Sequence, residues 1–404
     1  MIKHRDSIIY SLYGIICLAF ILSYAITNIA SVLLLAMFFV DKKSGLANKF
    51  KSIKRNKIIG LYVAFFVIQL VGLIYTANLD EGLRRVTVLL PLFFLPMVVI
   101  AEQKNESYFA RLMSVLQFAI PIIFVVLIFI HVFYDDRVIS TFVHFTIEEK
   151  LGISQFYLVF ILILPLYVSY QKILDKNKVL LSSLTFLTTL GTLFILGNKT
   201  IIVLLFILVG SYLINNLKNL RKFILSIVAL VILGVASFNI PIVKERFVTM
   251  FKTMDFDMEV IKTKNSFTVT KNTLEHRILI NYLSFNEIIE ALPFGVGTGD
   301  VEDVLKKQYK EANFKAGILN NFNSHNQYFY EFFKTGLLGG ITFIVLLFYL
   351  TKRAYHLNNF AFILIIFFAL ACFIESYLYR QHGVTIFAFI IPLILTHNYN
   401  KTHY

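Results

Sequence analysis

Residues 323–340 read NSHNQYFYEFFKTGLLGG and close a polar stretch that begins at Leu274. A histidine-bearing turn leads through an aromatic helix and a glycine-rich approach into an apolar run. Ser324 followed three residues later by Gln327 is a capping-box pattern, in which each side chain satisfies a free backbone N–H at a helix start. That places His325 in the first turn of a helix that runs to Lys334 and is ended by Gly336. The partial positive charge of a helix N-terminus disfavours an imidazolium, and a neutral imidazole can accept a proton. A polar residue at a helix start with no chemistry is the plainer reading, and these residues alone leave both open.

Outward from 274–340 the chain reads as membrane. It is 58% hydrophobic and 15% charged, with a mean hydropathy of +0.74, whereas soluble domains carry roughly a quarter charged residues. Apolar runs able to cross a roughly 30 Å hydrocarbon core recur, and they are continuous rather than alternating, so they are helices and not barrel strands. Twelve are expected, near 8–22, 26–40, 58–75, 86–100, 112–133, 153–170, 179–196, 200–216, 223–239, 337–350, 360–378 and 383–396. The first two are short and their turn is tight. No small-residue cleavage site separates them, so no cleavable signal is expected. The fold expected is an all-α integral membrane protein of about 12 transmembrane helices with one long, partly helical extracytoplasmic loop. Residues 1–239 then hold helices 1–9, residues 240–336 the loop with its catalytic helices, and residues 337–404 helices 10–12 and a cytoplasmic tail.

Charge sets the orientation. With the N-terminus inside, the inner segments hold 20 of the 38 Lys and Arg residues. The short outer loops hold six: Arg84, Arg85, Arg137, Lys150, Lys199 and Arg380. Under the positive-inside rule both termini are cytoplasmic and the 240–336 loop is outside. That loop is balanced, with 12 basic and 12 acidic residues. The net charge of +14 therefore describes an inner face suited to anionic membrane lipid, and no nucleic-acid partner is needed to explain it. Cys17 and Cys372 fall in expected spans and support neither a disulfide framework nor a metal site.

Along the chain, the basic pair Arg84 and Arg85 ends an outer loop at the mouth of the fourth span. It can snorkel to lipid phosphate or bind an anionic ligand. Asp135, Asp136, Glu148 and Glu149 lack ligand spacing and read as a solvated face. Lys199 is pinned in the short turn Gly197-Asn198-Lys199-Thr200, snorkelling or pointing into a polar cavity. Residues 242–273 read as mixed in charge and irregular at the tip, Thr263 to Thr273. From Leu274 to Ala291 the pattern is helical, with Arg277, Asn281 and Ser284 on one face and Leu279 and Leu283 able to bury. Pro293 ends that helix. Gly295-Val-Gly-Thr-Gly299 lacks the strand a nucleotide fingerprint needs, and reads as a tight connector before Asp300, which caps a helix from Val301 to Ala312. Glu375 is the one acid expected within a span, near its outer end, a functional candidate that an ion pair with Arg380 or another outer base would equally explain.

In this order, the basic turn between two spans, the Arg-bearing outer helix, Gly-Val-Gly-x-Gly, His-Asn-x-Tyr and Thr-Gly-Leu-Leu-Gly resemble the O-antigen ligase and polymerase superfamily over roughly residues 150–350. That superfamily is similar in architecture to the all-helical lipid-linked-sugar glycosyltransferases. The resemblance implies action at the outer face of the bacterial inner membrane, taking glycan from an undecaprenyl-pyrophosphate carrier to a lipid A core, another glycan or a protein hydroxyl. By the same resemblance His325 matches the catalytic histidine, with Asn326 beside it. Arg277 matches the loop arginine, Lys199 stands where an arginine is usual, and Arg84 or Arg85 matches an early-loop basic residue. A lysine at 199 keeps the charge but loses the bidentate fork suited to phosphate.

The residue types fit that chemistry. Arg277 and Lys199 can stabilise a pyrophosphate leaving group, and His325 can take the acceptor's proton. An inverting, metal-independent transfer without a cofactor is expected, with Glu375 and Arg380 supporting the cavity. The rival is a transporter or flippase of lipid-linked glycan, which would show repeated halves and mid-membrane charges. Neither is evident here.

Overall fold

The computed structural model describes residues 4–41, 43–102, 104–197, 252–269 and 272–397, with the isolated positions 224, 228 and 248. Every regular element among them is a helix, and the protein is an all-α membrane protein. In order these are α1 (Arg5–Leu22), α2 (Tyr24–Phe39), α3 (Lys43–Arg55), α4 (Lys57–Val71), α5 (Leu79–Leu89), α6 (Pro91–Ala101), α7 (Glu106–Phe129), α8 (Gln155–Leu174) and α9 (Val179–Leu196). After the undescribed stretch come α10 (Met258–Phe267), α11 (Thr273–Ala291), α12 (Val301–Glu311), α13 (Lys315–Asn320), α14 (Gln327–Leu357), α15 (Asn359–Ala371) and α16 (Gln381–Thr396). Six helical stretches among the described residues are long and apolar enough to cross a bilayer, and α2, α4, α15 and α16 are shorter apolar helices. The expected spans 200–216 and 223–239 lie outside the described residues, apart from the isolated positions 224 and 228.

The bundle is held by aromatic packing. Phe160 of α8 meets Phe367 of α15 at 4.8 Å between ring centres, and Phe368 stacks on Phe387 of α16 at 5.0 Å. Residues 386–390 form a π turn inside α16, and the buried Tyr62 of α4 donates its hydroxyl hydrogen to the Phe387 carbonyl at 2.7 Å. A widened turn frees a carbonyl, and a side-chain donor answers it. The expected outer loop at 76–85 is already helical from Leu79. Asn78 caps α5 by accepting from the Glu81 N–H, and the chain bends where Pro91 opens α6 without a backbone N–H to give. At the far end of the bundle, Glu102 takes Arg5 at 2.6 Å and Lys49 at 3.0 Å, which clasps α1 and α3 to the end of α6.

Residues 261–333 build a second apolar core, with Ile261, Leu279, Leu283, Val301, Leu305, Tyr309, Phe314 and Phe333 buried in it. The expected burial of Leu279 and Leu283 is observed, and α11 and α12 end within a residue of their expected limits. Two readings change. The tip expected to be irregular from Thr263 is helical to Phe267, because Lys264 is drawn to the buried Glu275 carboxylate at 2.7 Å. Asp300 does precede α12, but its carboxylate does not cap that helix; it accepts from the Ala77 and Asn78 N–H groups at 2.8 and 2.7 Å, binding the 76–78 turn.

α14 joins the two cores. It holds 31 residues, about 46 Å at 1.5 Å per residue, and it is broken at Thr335 and Gly336. The break leaves carbonyls without helical donors, and the glycine-rich connector supplies them: Val296 N–H donates to Phe333 and Gly297 N–H to Lys334, at 2.9 and 3.0 Å. Gly336 has φ +63, and a Cβ there would lie 2.0 Å from the Pro293 carbonyl oxygen, so both backbone angle and space demand glycine.

Candidate functional site

The loop before α14 is built by asparagines. Asn323 Oδ1 accepts the His325 N–H at 2.9 Å, and Asn326 Oδ1 accepts the Tyr328 and Phe329 N–H groups at 3.0 and 3.1 Å. Asn326, not Ser324, is therefore the helix cap, which corrects the capping-box reading. The reason is tertiary: the buried Ser324 hydroxyl donates to the Asn326 carbonyl and faces the Ser376 hydroxyl at 3.2 Å. Gln327 does not reach back either. It opens α14 and bridges the Glu331 carboxylate and the Leu378 N–H, each at 2.7 Å. His325 consequently lies ahead of the helix in a left-handed conformation, φ +45, rather than in the first turn.

That backbone turns the imidazole toward the segment after α15. Gln327 N–H donates to the Cys372 carbonyl at 2.7 Å, and the Glu375 N–H to the Ala371 carbonyl at 3.0 Å, so the two segments are fixed against each other. Glu375 is beyond the end of α15 and not within it, a second correction. Its two carboxylate oxygens each lie 3.1 Å from His325 Nδ1. Arg277 arrives from α11, with one guanidinium nitrogen 3.4 Å from Glu375 Oε2 and another donating to the Ile374 carbonyl. The base that pairs with Glu375 is Arg277; Arg380 is exposed and, among the described residues, makes no ion pair. His325, Arg277 and Glu375 side chains retain 21, 21 and 12% exposure, enough for a ligand to reach all three. Burial alone would raise the Glu375 carboxyl, but the hydrogen bond and charge of His325 and the charge of Arg277 outweigh it and hold the group below the ordinary carboxylate range.

Behind the loop sits a pair that the sequence reading missed. Glu331 and Lys334 are fully buried 3.1 Å apart, and Gln69 of α4 and Gln327 donate to the remaining carboxylate positions at 3.1 and 2.7 Å. The i, i+3 spacing was visible, but burial of a loop helix was not.

The other basic residues are occupied or undescribed. Arg84 is exposed and paired within its helix to Glu81 at 2.6 Å. Arg85 is buried between Glu81 at 2.6 Å and Glu302 at 3.1 Å, with its guanidinium 3.6 Å from the Tyr379 ring centre. Both guanidinium groups thus meet carboxylates of the protein itself, and Arg84 keeps most of its surface exposed. Lys199 lies outside the described residues. Ser284, expected to share the Arg277 face, is fully buried.

Residues 184–344 match the family model described as O-antigen ligase. The match takes in Lys199, Arg277 and His325 and stops short of Glu375, and it bears out the superfamily resemblance. No curated protein matches the sequence.

Proposed function

We propose, from the O-antigen ligase domain that residues 184–344 carry, that the protein transfers a glycan from an undecaprenyl-diphosphate carrier to an acceptor hydroxyl at the outer face of the bacterial inner membrane. Both termini then face the cytoplasm, and the 240–336 loop faces outward. The observation that carries this reading is the meeting of His325, Glu375 and Arg277 from three distant segments.

In the proposed step the acceptor oxygen attacks the anomeric carbon as its proton passes to His325 Nε2. The carbon–oxygen bond to phosphate breaks on the opposite side, and undecaprenyl diphosphate leaves. Direct displacement inverts the anomeric centre. With Nδ1–H toward Glu375, the other ring nitrogen is the acceptor, the arrangement a general base requires. Arg277 supplies two N–H donors in a fork that fits phosphate oxygens as leaving-group charge grows. Lys199 is the second cation of this proposal. The residues facing the reaction need no cofactor for it.

Purified protein in liposomes with carrier-linked glycan tests this. Undecaprenyl diphosphate should be released with formation of a new glycosidic bond, and Arg277→Ala should cut the rate at least tenfold. Movement of intact carrier across the bilayer without cleavage would instead make the protein a flippase. Extension of glycan on the carrier, rather than transfer off it, would identify a polymerase of the same superfamily.

A further inference from the structure

Glu375 is shared. Its carboxylate is equidistant from His325 Nδ1 through both oxygens, at 3.1 Å, and one of those oxygens is also 3.4 Å from Arg277. Charge-assisted pairs usually close to about 2.7–2.9 Å, so neither partner holds this carboxylate on optimal geometry. Arg277's other hydrogen bond is to a neutral carbonyl, that of Ile374, and its guanidinium lies 6.0 Å from the Phe156 ring centre. The guanidinium is therefore held by one divided carboxylate and one peptide oxygen, and all three side chains keep exposed surface.

Resting on the transferase reading above, we propose that Glu375 is an exchange point coupling donor capture to orientation of the base. In the donor-free site it holds Arg277 and His325 together. A lipid diphosphate draws Arg277 away, and the carboxylate is left to His325 alone. A diphosphate presents two anionic groups whose oxygens match the guanidinium fork, and it outcompetes a carboxylate already divided between two partners. Once Arg277 has moved, the imidazole has an undivided acceptor at Nδ1, which fixes the ring and directs Nε2 toward the space the acceptor hydroxyl enters. Base orientation thus follows donor binding, which protects the site from activating a hydroxyl when no donor is present. By linkage, whatever loosens Arg277 from Glu375 must tighten the diphosphate.

The consequence separates exchange from a merely structural role. A structural carboxylate, when neutralised, weakens binding and turnover together. Glu375 as an exchange point gives opposite signs: Glu375→Gln binds diphosphate more tightly and turns over more slowly.

Farnesyl diphosphate, an isoprenyl diphosphate without sugar, is the probe, titrated into the full-length protein in nanodiscs. Glu375→Gln should bind it about fivefold more tightly than wild type, the factor a half-buried ion pair represents. Arg277→Ala should bind it at least tenfold more weakly, and the double variant should match Arg277→Ala. Glu375→Asp keeps the charge but draws it back from Arg277, so its affinity should fall between wild type and Glu375→Gln, and a thermal melt of each variant controls for folding. With histidine labelled in the ring nitrogens, the His325 signal should shift on adding the probe to wild type and stay still in Arg277→Ala. Equal or weaker binding by Glu375→Gln, with Arg277→Ala still defective, overturns the exchange and leaves the diphosphate site standing. Wild-type affinity in Arg277→Ala overturns the diphosphate site, and the exchange with it.

Discussion

At the scale of single residues, His325 carries two demands that one substitution can separate. Its backbone is left-handed, a conformation asparagine tolerates better than alanine or a branched side chain. His325→Asn should therefore keep thermal stability within about 1 kcal/mol of wild type while transfer falls by about 100-fold or more, the usual worth of a general base. Calorimetry or thermal scanning beside the carrier-release assay reads both. Glu375 makes a pH prediction. Its folded-state carboxyl titrates below its unfolded value, so its contribution to stability is full above the ordinary glutamate value of about 4.3 and is lost as pH falls through the lower folded value. Glu375→Gln lacks that contribution. Its melting temperature should lie below wild type at pH 7, and the gap should close on acidification below about pH 4. A gap that stays constant with pH would detach the carboxylate's charge from stability.

At the scale of elements, α14 is the decisive piece, and its buried Glu331–Lys334 pair can be tested by unequal deletion. Removing one buried partner strands the other charge and costs about 3–5 kcal/mol, whereas replacing both with apolar residues of like size is near neutral. Glu331→Leu should then melt far below wild type, and Glu331→Leu with Lys334→Met should recover most of the loss. If the double variant is no better than the single, the hydrogen bonds from Gln69 and Gln327 matter more than the charge pair. The same region shows where sequence reading runs out. Helices α11 and α12 were legible because apolar periodicity, Pro293 and the glycine-rich turn are local signals. The cap of α14 was not, since Ser324 and Asn326 are both good capping residues and the choice is made by Ser376, 52 positions away. The partnership of Glu375 with Arg277, 98 positions apart, is likewise tertiary. Helix α10 and the early start of α5 escaped because polar, charged turns look like loops until a partner such as Glu275 or Glu81 is supplied.

At the scale of the molecule, the described residues form two apolar cores, one in the bundle and one within 261–333, with α14 passing between them. The orientation proposed from the charge asymmetry of the sequence puts the second core on the outer side, and impermeant maleimide tests that. Both native cysteines are buried, so background labelling should be low. Asn320→Cys, at the end of α13, should label in intact spheroplasts. Lys51→Cys, exposed on α3, should label only after the membrane is opened; the reverse pattern would invert the topology.

The break at Thr335–Gly336 has a mechanical meaning beyond its fit to the glycine connector. The arm of α14 beyond it must follow the thickness and tilt of the surrounding bilayer, whereas the arm before it is clamped to Cys372, Leu378, Val296 and Gly297. A continuous rod would transmit every change of tilt to the histidine at its tip. A jointed one isolates the tip, so the site keeps its geometry while the lipid around the protein changes with temperature and growth.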